Sequence, residues 1–171
     1  VTAPMVHWPE VIVSYESTEQ VLFSADGFGK FGVYEADADD WACEARRYYF
    51  NICGKYGNNV ASLLKKASTL TIKKILPLHG PILEGEKMVE ALRLYTLWCH
   101  YEPEAEGILV AHASIHGGTK ECAECIAEML RAKGAKKVSV FDLCRDDMAE
   151  AIEDAFRYSK LVLATTTYNA G

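Results

Sequence analysis

The feature that most constrains this chain is an alternation of short apolar runs with amphipathic stretches across its second half. Gly107-Ile-Leu-Val-Ala-His-Ala113 is an apolar run that ends in a polar, Gly-containing loop, Ser114 to Thr119. Cys122, Ile126, Met129 and Leu130 then recur at helical spacing from Thr119 to about Lys133, and Gly134 is a good stop. Lys137 to Leu143 predicts a second strand. Asp146 or Asp147 can cap a second helix reaching about Tyr158, with Met148, Ala151, Ile152, Ala155 and Phe156 on one face. Leu161 to Thr165 predicts a third strand. A β-α-β-α-β order of this kind builds a parallel sheet with right-handed crossovers.

The first half has a different texture. Val11–Tyr15 and Gln20–Ser24 predict a hairpin around a Glu-Ser-Thr-Glu turn. Helices are expected from Asp37 to about Phe50, from about Asn59 to Ser68 and from Glu86 to about His100. Thr71–Leu76 is a strand that stops at Pro77. Tyr101 to Gly107, polar and containing Pro and Gly, reads as a linker. The boundary is expected between residues 102 and 103, giving two domains, 1–102 and 103–171.

Composition narrows the function classes. The net charge is −6 and the pI about 5.4, which argues against a nucleic-acid partner whose phosphates want a basic surface. No apolar run approaches the ~20 residues that span a bilayer, and Val1 to Pro9 does not resemble a secretory signal. Six sparse cysteines, at 43, 53, 99, 122, 125 and 144, are expected as reduced thiols of a cytoplasmic protein. Cys122-Ala-Glu-Cys125 has the spacing of a redox or zinc pair, but no second pair lies nearby, so two small side chains on one helix is the expectation. The chain opens at Val1 and ends at Gly171 within a polar loop, and both ends read as cut.

Two loops carry the binding chemistry of the second half. Ser114-Ile115-His116-Gly117-Gly118-Thr119 lies between a strand and a helix N-terminus, where unpaired N–H groups and the helix dipole favour an anion. No lysine precedes Thr119, so a Walker A site is not expected. Thr166, Thr167, Tyr168, Asn169, Ala170 and Gly171 follow the third strand, at the same edge of the sheet, where ligands of doubly wound folds bind. Tyr168 offers a ring for stacking on a planar heterocycle.

In the first half, His7 sits in His-Trp-Pro-Glu, Asp26 in Phe-Ser-Ala-Asp-Gly-Phe-Gly and His79 in Leu-His-Gly-Pro. Imidazole plus carboxylate suits iron, zinc or manganese. Taken singly, each reads first as an ordinary turn or surface residue rather than a ligand.

Together the two halves resemble the flavodiiron proteins. The paired loops are similar to a flavodoxin FMN site, with Gly118 in place of the usual Asn and His116 where Thr is common. The His-Trp-Pro, Phe-Ser-x-Asp-x-Phe-Gly and His-Gly-Pro segments resemble the second half of that family's metal domain. The resemblance implies the C-terminal part of a metallo-β-lactamase-like αββα domain followed by the N-terminal part of a flavodoxin-like doubly wound parallel sheet. It implies two iron ions, with Asp26 as bridge and His7 and His79 as terminal ligands, and FMN on the two loops. It further implies reduction of O2 to water or NO to N2O, a rubredoxin-like or other small redox donor, and a head-to-tail homodimer. An FMN-binding electron carrier without metal catalysis, and a metallo-hydrolase joined to a flavodoxin, are the alternatives.

Overall fold

The computed structural model describes residues 1–32 and 41–167, so Asp37, the expected start of a helix, lies outside the described residues. Two compact units divide the chain, Val1–Glu102 and Pro103–Gly171.

The first unit carries a four-stranded mixed sheet in the order β1-β2-β3-β4. Its strands are β1 (Ser14–Glu16), β2 (Val21–Ala25), β3 (Lys74–Pro77) and β4 (Leu83–Glu84). β1 and β2 are the expected hairpin, and the Glu16 carboxylate closes its turn by accepting from the amides of Thr18 and Glu19 at 2.7 and 2.6 Å. β1 begins later than Val11 for a tertiary reason. The segment before it pairs with the N-terminus instead: the Ala3 amide donates to Val11 O and the Val13 amide to Val1 O, both at 2.8 Å. β2 and β3 run parallel, and Ala25 stands opposite Pro77. β4 has only two residues, too few to leave a periodic signal.

Helices α1 (Trp41–Ile52), α2 (Gly57–Ala67) and α3 (Gly85–Cys99) pack with this sheet. α3 buries Ala91, Leu94, Tyr95 and Trp98, the i, i+3, i+4, i+7 stripe of an amphipathic helix. α1 contributes Tyr48, Tyr49 and Phe50. Tyr49, Tyr95 and Trp98 meet with ring centroids 5.1 to 5.3 Å apart in tilted and edge-on pairs, the arrangement ring quadrupoles favour. α2 starts at Gly57, two residues before the expected Asn59, because only glycine fits there: a Cβ would stand 2.5 Å from the Cys99 carbonyl oxygen.

The second unit is a parallel three-stranded sheet, order β6-β5-β7, built from β5 (Ala105–Ala113), β6 (Val138–Asp142) and β7 (Tyr158–Thr165), with α4 (Gly118–Ala132) and α5 (Met148–Arg157) as crossovers. β5 is buried on both faces. Ile108 and Val110 meet Ala123 and Ala127 of α4, while Leu109 and Ala111 face Tyr158. A central parallel strand reads as a continuous apolar run for this reason. β5 starts inside the expected linker, and β7 starts before the expected Leu161, because the two pair early: Ala105 stands opposite Tyr158, whose ring covers Gly107 so closely that a Cβ there would approach it to 2.3 Å. Of the two candidates Asp146 and Asp147, it is Asp147 that caps α5, its Oδ1 accepting from the Ala149 amide at 2.8 Å. Among the described residues, no helix is long and apolar enough to cross a membrane. None of the six cysteines forms a disulfide among the described residues.

Candidate metal centre and phosphate loop

Parallel pairing of β2 with β3 brings their C-terminal ends side by side. The Leu78 amide donates to Ala25 O at 2.8 Å, which places the residues that follow, Asp26 and His79, in adjacent turns. The Lys30 amide donates to His79 O at 3.3 Å and ties the two turns again. His7 arrives from the N-terminal segment, which folds back through hydrogen bonds from Met5 N to Trp8 O and from Val6 N to Ala3 O.

The three side chains converge. His7 Nε2 lies 3.4 Å from Asp26 Oδ2, and His79 Nε2 lies 3.3 Å from Asp26 Oδ1. Both contacts are longer than the ~2.7–2.9 Å of a tight charge-assisted hydrogen bond. Each imidazole faces its own carboxylate oxygen. The carboxylate is 10% exposed, His7 26% and His79 56%, so the pocket is floored by Asp26 and opens past His79. Among the described residues, no group of three or more His, Cys, Asp or Glu side chains is arranged to hold a metal ion. The donors form two nitrogen–oxygen pairs that share one carboxylate.

Tyr48 of α1 covers the pocket. Its ring stands edge-on to His7 at 6.5 Å and tilted to His79 at 6.0 Å. Burial, then the negative charge of Asp26, holds its phenol above the usual tyrosine range. Cys53 is pushed up to about 12 by burial and, secondarily, by Asp26. Sequence patterning marks Tyr48 only as an aromatic near this region and does not single out Cys53 at all, since one Cys after a helix carries no periodic signal. Trp8 is 63% exposed, with its ring 5.6 Å from that of His7.

In the second unit, Ser114–Thr119 joins β5 to α4. Gly117 adopts φ +93°, a left-handed conformation in which glycine is free of Cβ strain, and its amide donates to Ser114 Oγ at 3.0 Å. Among the described residues, no side chain caps α4. A Cβ on Gly117 or Gly118 would meet nothing within 4 Å. Open space thus lies over uncapped N–H groups, where an anion gains about 0.3–1 kcal/mol from the helix dipole alone. His116 and Ile115 are exposed at the rim. In-register pairing sets Ala113 opposite Thr165, so the loop after β7 stands beside this one, and the hydroxyls of Thr119 and Thr166 meet at 2.8 Å. Thr167 follows, exposed; Tyr168, Asn169, Ala170 and Gly171 lie outside the described residues.

No family model matches the chain. The flavodiiron protein of Giardia intestinalis superposes on 99% of it with a TM-score of 0.89 at 26% identity, using 42% of that structure's chain. The part of the fold that this chain spans is that of a flavodiiron protein. Rubredoxin oxygen:oxidoreductase from Desulfovibrio gigas shares the flavodiiron fold with it, at a TM-score of 0.87 and 21% identity over 98% of this chain and 44% of that one. Among curated sequences, the anaerobic nitric oxide reductase flavorubredoxin of Vibrio vulnificus is 27% identical over 99% of this chain. An uncharacterised protein of Methanocaldococcus jannaschii is 26% identical over the same share. The chain spans 36% and 44% of those two relatives' lengths, respectively. Its fold class is accordingly metallo-β-lactamase-like followed by flavodoxin-like.

Proposed function

We propose that the protein carrying this chain reduces O2 to water, NO to N2O, or both, at two irons bridged by Asp26, with electrons delivered through FMN. The observation that carries this is the single carboxylate flanked by an imidazole on each oxygen. When bound, the irons supply open coordination positions and redox chemistry, and FMN supplies an electron store.

This chain's residues perform the holding. His7 and His79 would hold the irons through imidazole nitrogen and Asp26 through its carboxylate. The buried setting of Asp26 strengthens its hold on cations by excluding water from the floor of the pocket. Tyr48 keeps its proton at neutral pH and adds no charge over the pocket. The loop of Ser114, Ile115, His116, Gly117, Gly118 and Thr119 would hold the FMN phosphate, with the uncapped amides at the start of α4 as its donors. Thr166 and Thr167, with Tyr168, Asn169, Ala170 and Gly171, would flank the flavin ring. Residues 1–102 then belong to the metal domain and 103–171 to the flavin domain, a division supported by the break between Glu102 and Pro103. A rubredoxin-like or other small donor, and a head-to-tail homodimer, complete the proposal, which the names of the relatives support as regards NO, O2 and rubredoxin. Cysteines outside any disulfide among the described residues fit a reducing compartment such as the cytoplasm.

The test measures iron, FMN, and O2 and NO consumption on one preparation of the protein. Asp26→Ala should remove iron and turnover while FMN stays bound. Zinc with hydrolytic activity, or FMN without iron and without turnover, overturns the proposal.

A further inference from the structure

The turn that presents Asp26 is held from a distance. Within it, the Gly27 amide donates to Ser24 O at 3.0 Å, the Gly29 amide donates to Asp26 O at 3.1 Å, and Ser24 Oγ donates to Gly27 O at 2.6 Å. The Phe28 amide leaves the turn: it donates to the phenol oxygen of Tyr95 at 2.7 Å, in a buried bond spanning 67 positions of sequence. The rings of Phe28 and Tyr95 also stack, with centroids 4.2 Å apart and planes 26° apart. Phe28 has φ +65°, a left-handed conformation that costs a non-glycine residue about 1–2 kcal/mol and persists only when the surroundings impose it. Tyr95 can impose it because Tyr49 and Trp98 clamp its ring at 5.1 and 5.2 Å.

We infer that Tyr95 is the positioning residue of the candidate metal centre: its phenol oxygen on α3 accepts the Phe28 amide and thereby fixes the turn on which the Asp26 carboxylate stands between two imidazoles. Tyr95 touches none of the three proposed ligands; it acts through the Asp26 turn. The inference rests on the metal reading of that pocket; groups hydrogen-bonded directly to metal ligands change affinity about 10–100-fold when mutated, which bounds the effect of a tyrosine acting through the ligand's turn.

The test is Tyr95→Phe, which keeps the ring and its stack but leaves the Phe28 N–H buried without an acceptor. Tyr49→Phe is the control, since the Tyr49 hydroxyl has no hydrogen-bond partner among the described residues. Two readouts are taken: Co2+ affinity by titration, and the NMR shift and hydrogen exchange of the Phe28 amide. Tyr95→Phe should weaken Co2+ binding 10–100-fold and speed Phe28 exchange at least tenfold, with Tyr49→Phe close to the parent in both. A lower melting temperature with unchanged Co2+ affinity would mean a merely structural tyrosine and overturns the inference. Should Tyr95→Phe fail to fold, 3-fluorotyrosine at position 95 retains the hydroxyl but weakens its oxygen as an acceptor, and an unmoved Phe28 amide resonance overturns the inference equally. If Asp26→Asn leaves Co2+ affinity unchanged, the metal reading fails, and with it the inferred role; a Phe28 amide that still responds would then mark Tyr95 as an anchor of the turn alone.

Discussion

At the scale of single residues, charge and burial decide what each group does. Asp26 keeps both oxygens facing imidazoles, so converting one to an amide removes both the charge and one acceptor. Asp26→Asn should therefore lower metal affinity at least tenfold, read by Co2+ titration, while changing FMN loading little. The thiols divide by burial. Cys122, Cys125 and Cys144 are exposed, whereas Cys53 and Cys99 are buried with their thiols held above the usual range. Iodoacetamide at pH 8 should label the first three within minutes and the buried pair only after unfolding, as counted by mass spectrometry. The Cys53 shift also sets a pH dependence. Its folded value, about 12, exceeds its unfolded value near 9. Below pH 9 both states hold the proton and the contribution is fully present. As pH rises from 9 towards 12 the unfolded chain releases the proton first, so stability falls, by at most about 1.4 kcal/mol per pH unit for this group. Urea midpoints between pH 8 and 10 should decline, and Cys53→Ala should flatten the decline whatever its own stability.

At the scale of elements, close approach and register position everything else. Gly57 lets the start of α2 meet the end of α3, and Gly107 lets β5 pass beneath the Tyr158 ring. An alanine at either position forces the neighbour to move. Gly57→Ala, set against a carbonyl oxygen that cannot swing away, should cost about 1–3 kcal/mol in urea denaturation. In the second unit the Thr119–Thr166 hydroxyl pair links the loops after β5 and β7. Thr119→Val keeps the shape and removes the bond; it should weaken FMN binding about tenfold, the equivalent of one hydrogen bond near 1–1.5 kcal/mol, measured by flavin fluorescence quenching.

At the scale of the whole molecule, each compact unit carries one candidate site. Asp26→Asn and Thr119→Val should accordingly separate the two losses, metal without flavin and flavin without metal, measured on the same samples. The two units differ in how readily their sequences disclose them. The β-α-β-α-β pattern and the Gly134 stop read directly, and the α5 cap reads to within one residue, because each depends on neighbours a few positions away. The Ser114–Thr119 loop was recognisable by position for the same reason. Strand ends were less legible: β1 yields residues to the N-terminus, and β5 and β7 extend because they pair with each other early.

The sequence by itself determined the residue types and their local frames: imidazoles in short Pro-bounded turns, a carboxylate after a strand, glycines before a helix. It could not determine that these meet. Asp26 and His79 become neighbours because β2 and β3 pair in parallel across more than forty residues of intervening chain, and His7 joins them because the N-terminal segment folds against Val11 and Val13. Tyr95, on the buried stripe of α3, looks like any other core aromatic until the tertiary fold presents its oxygen to the Phe28 amide. The physical reason is range: helix caps and periodicity act over one or two turns, whereas strand register and buried hydrogen bonds between distant segments arise only when the core has closed.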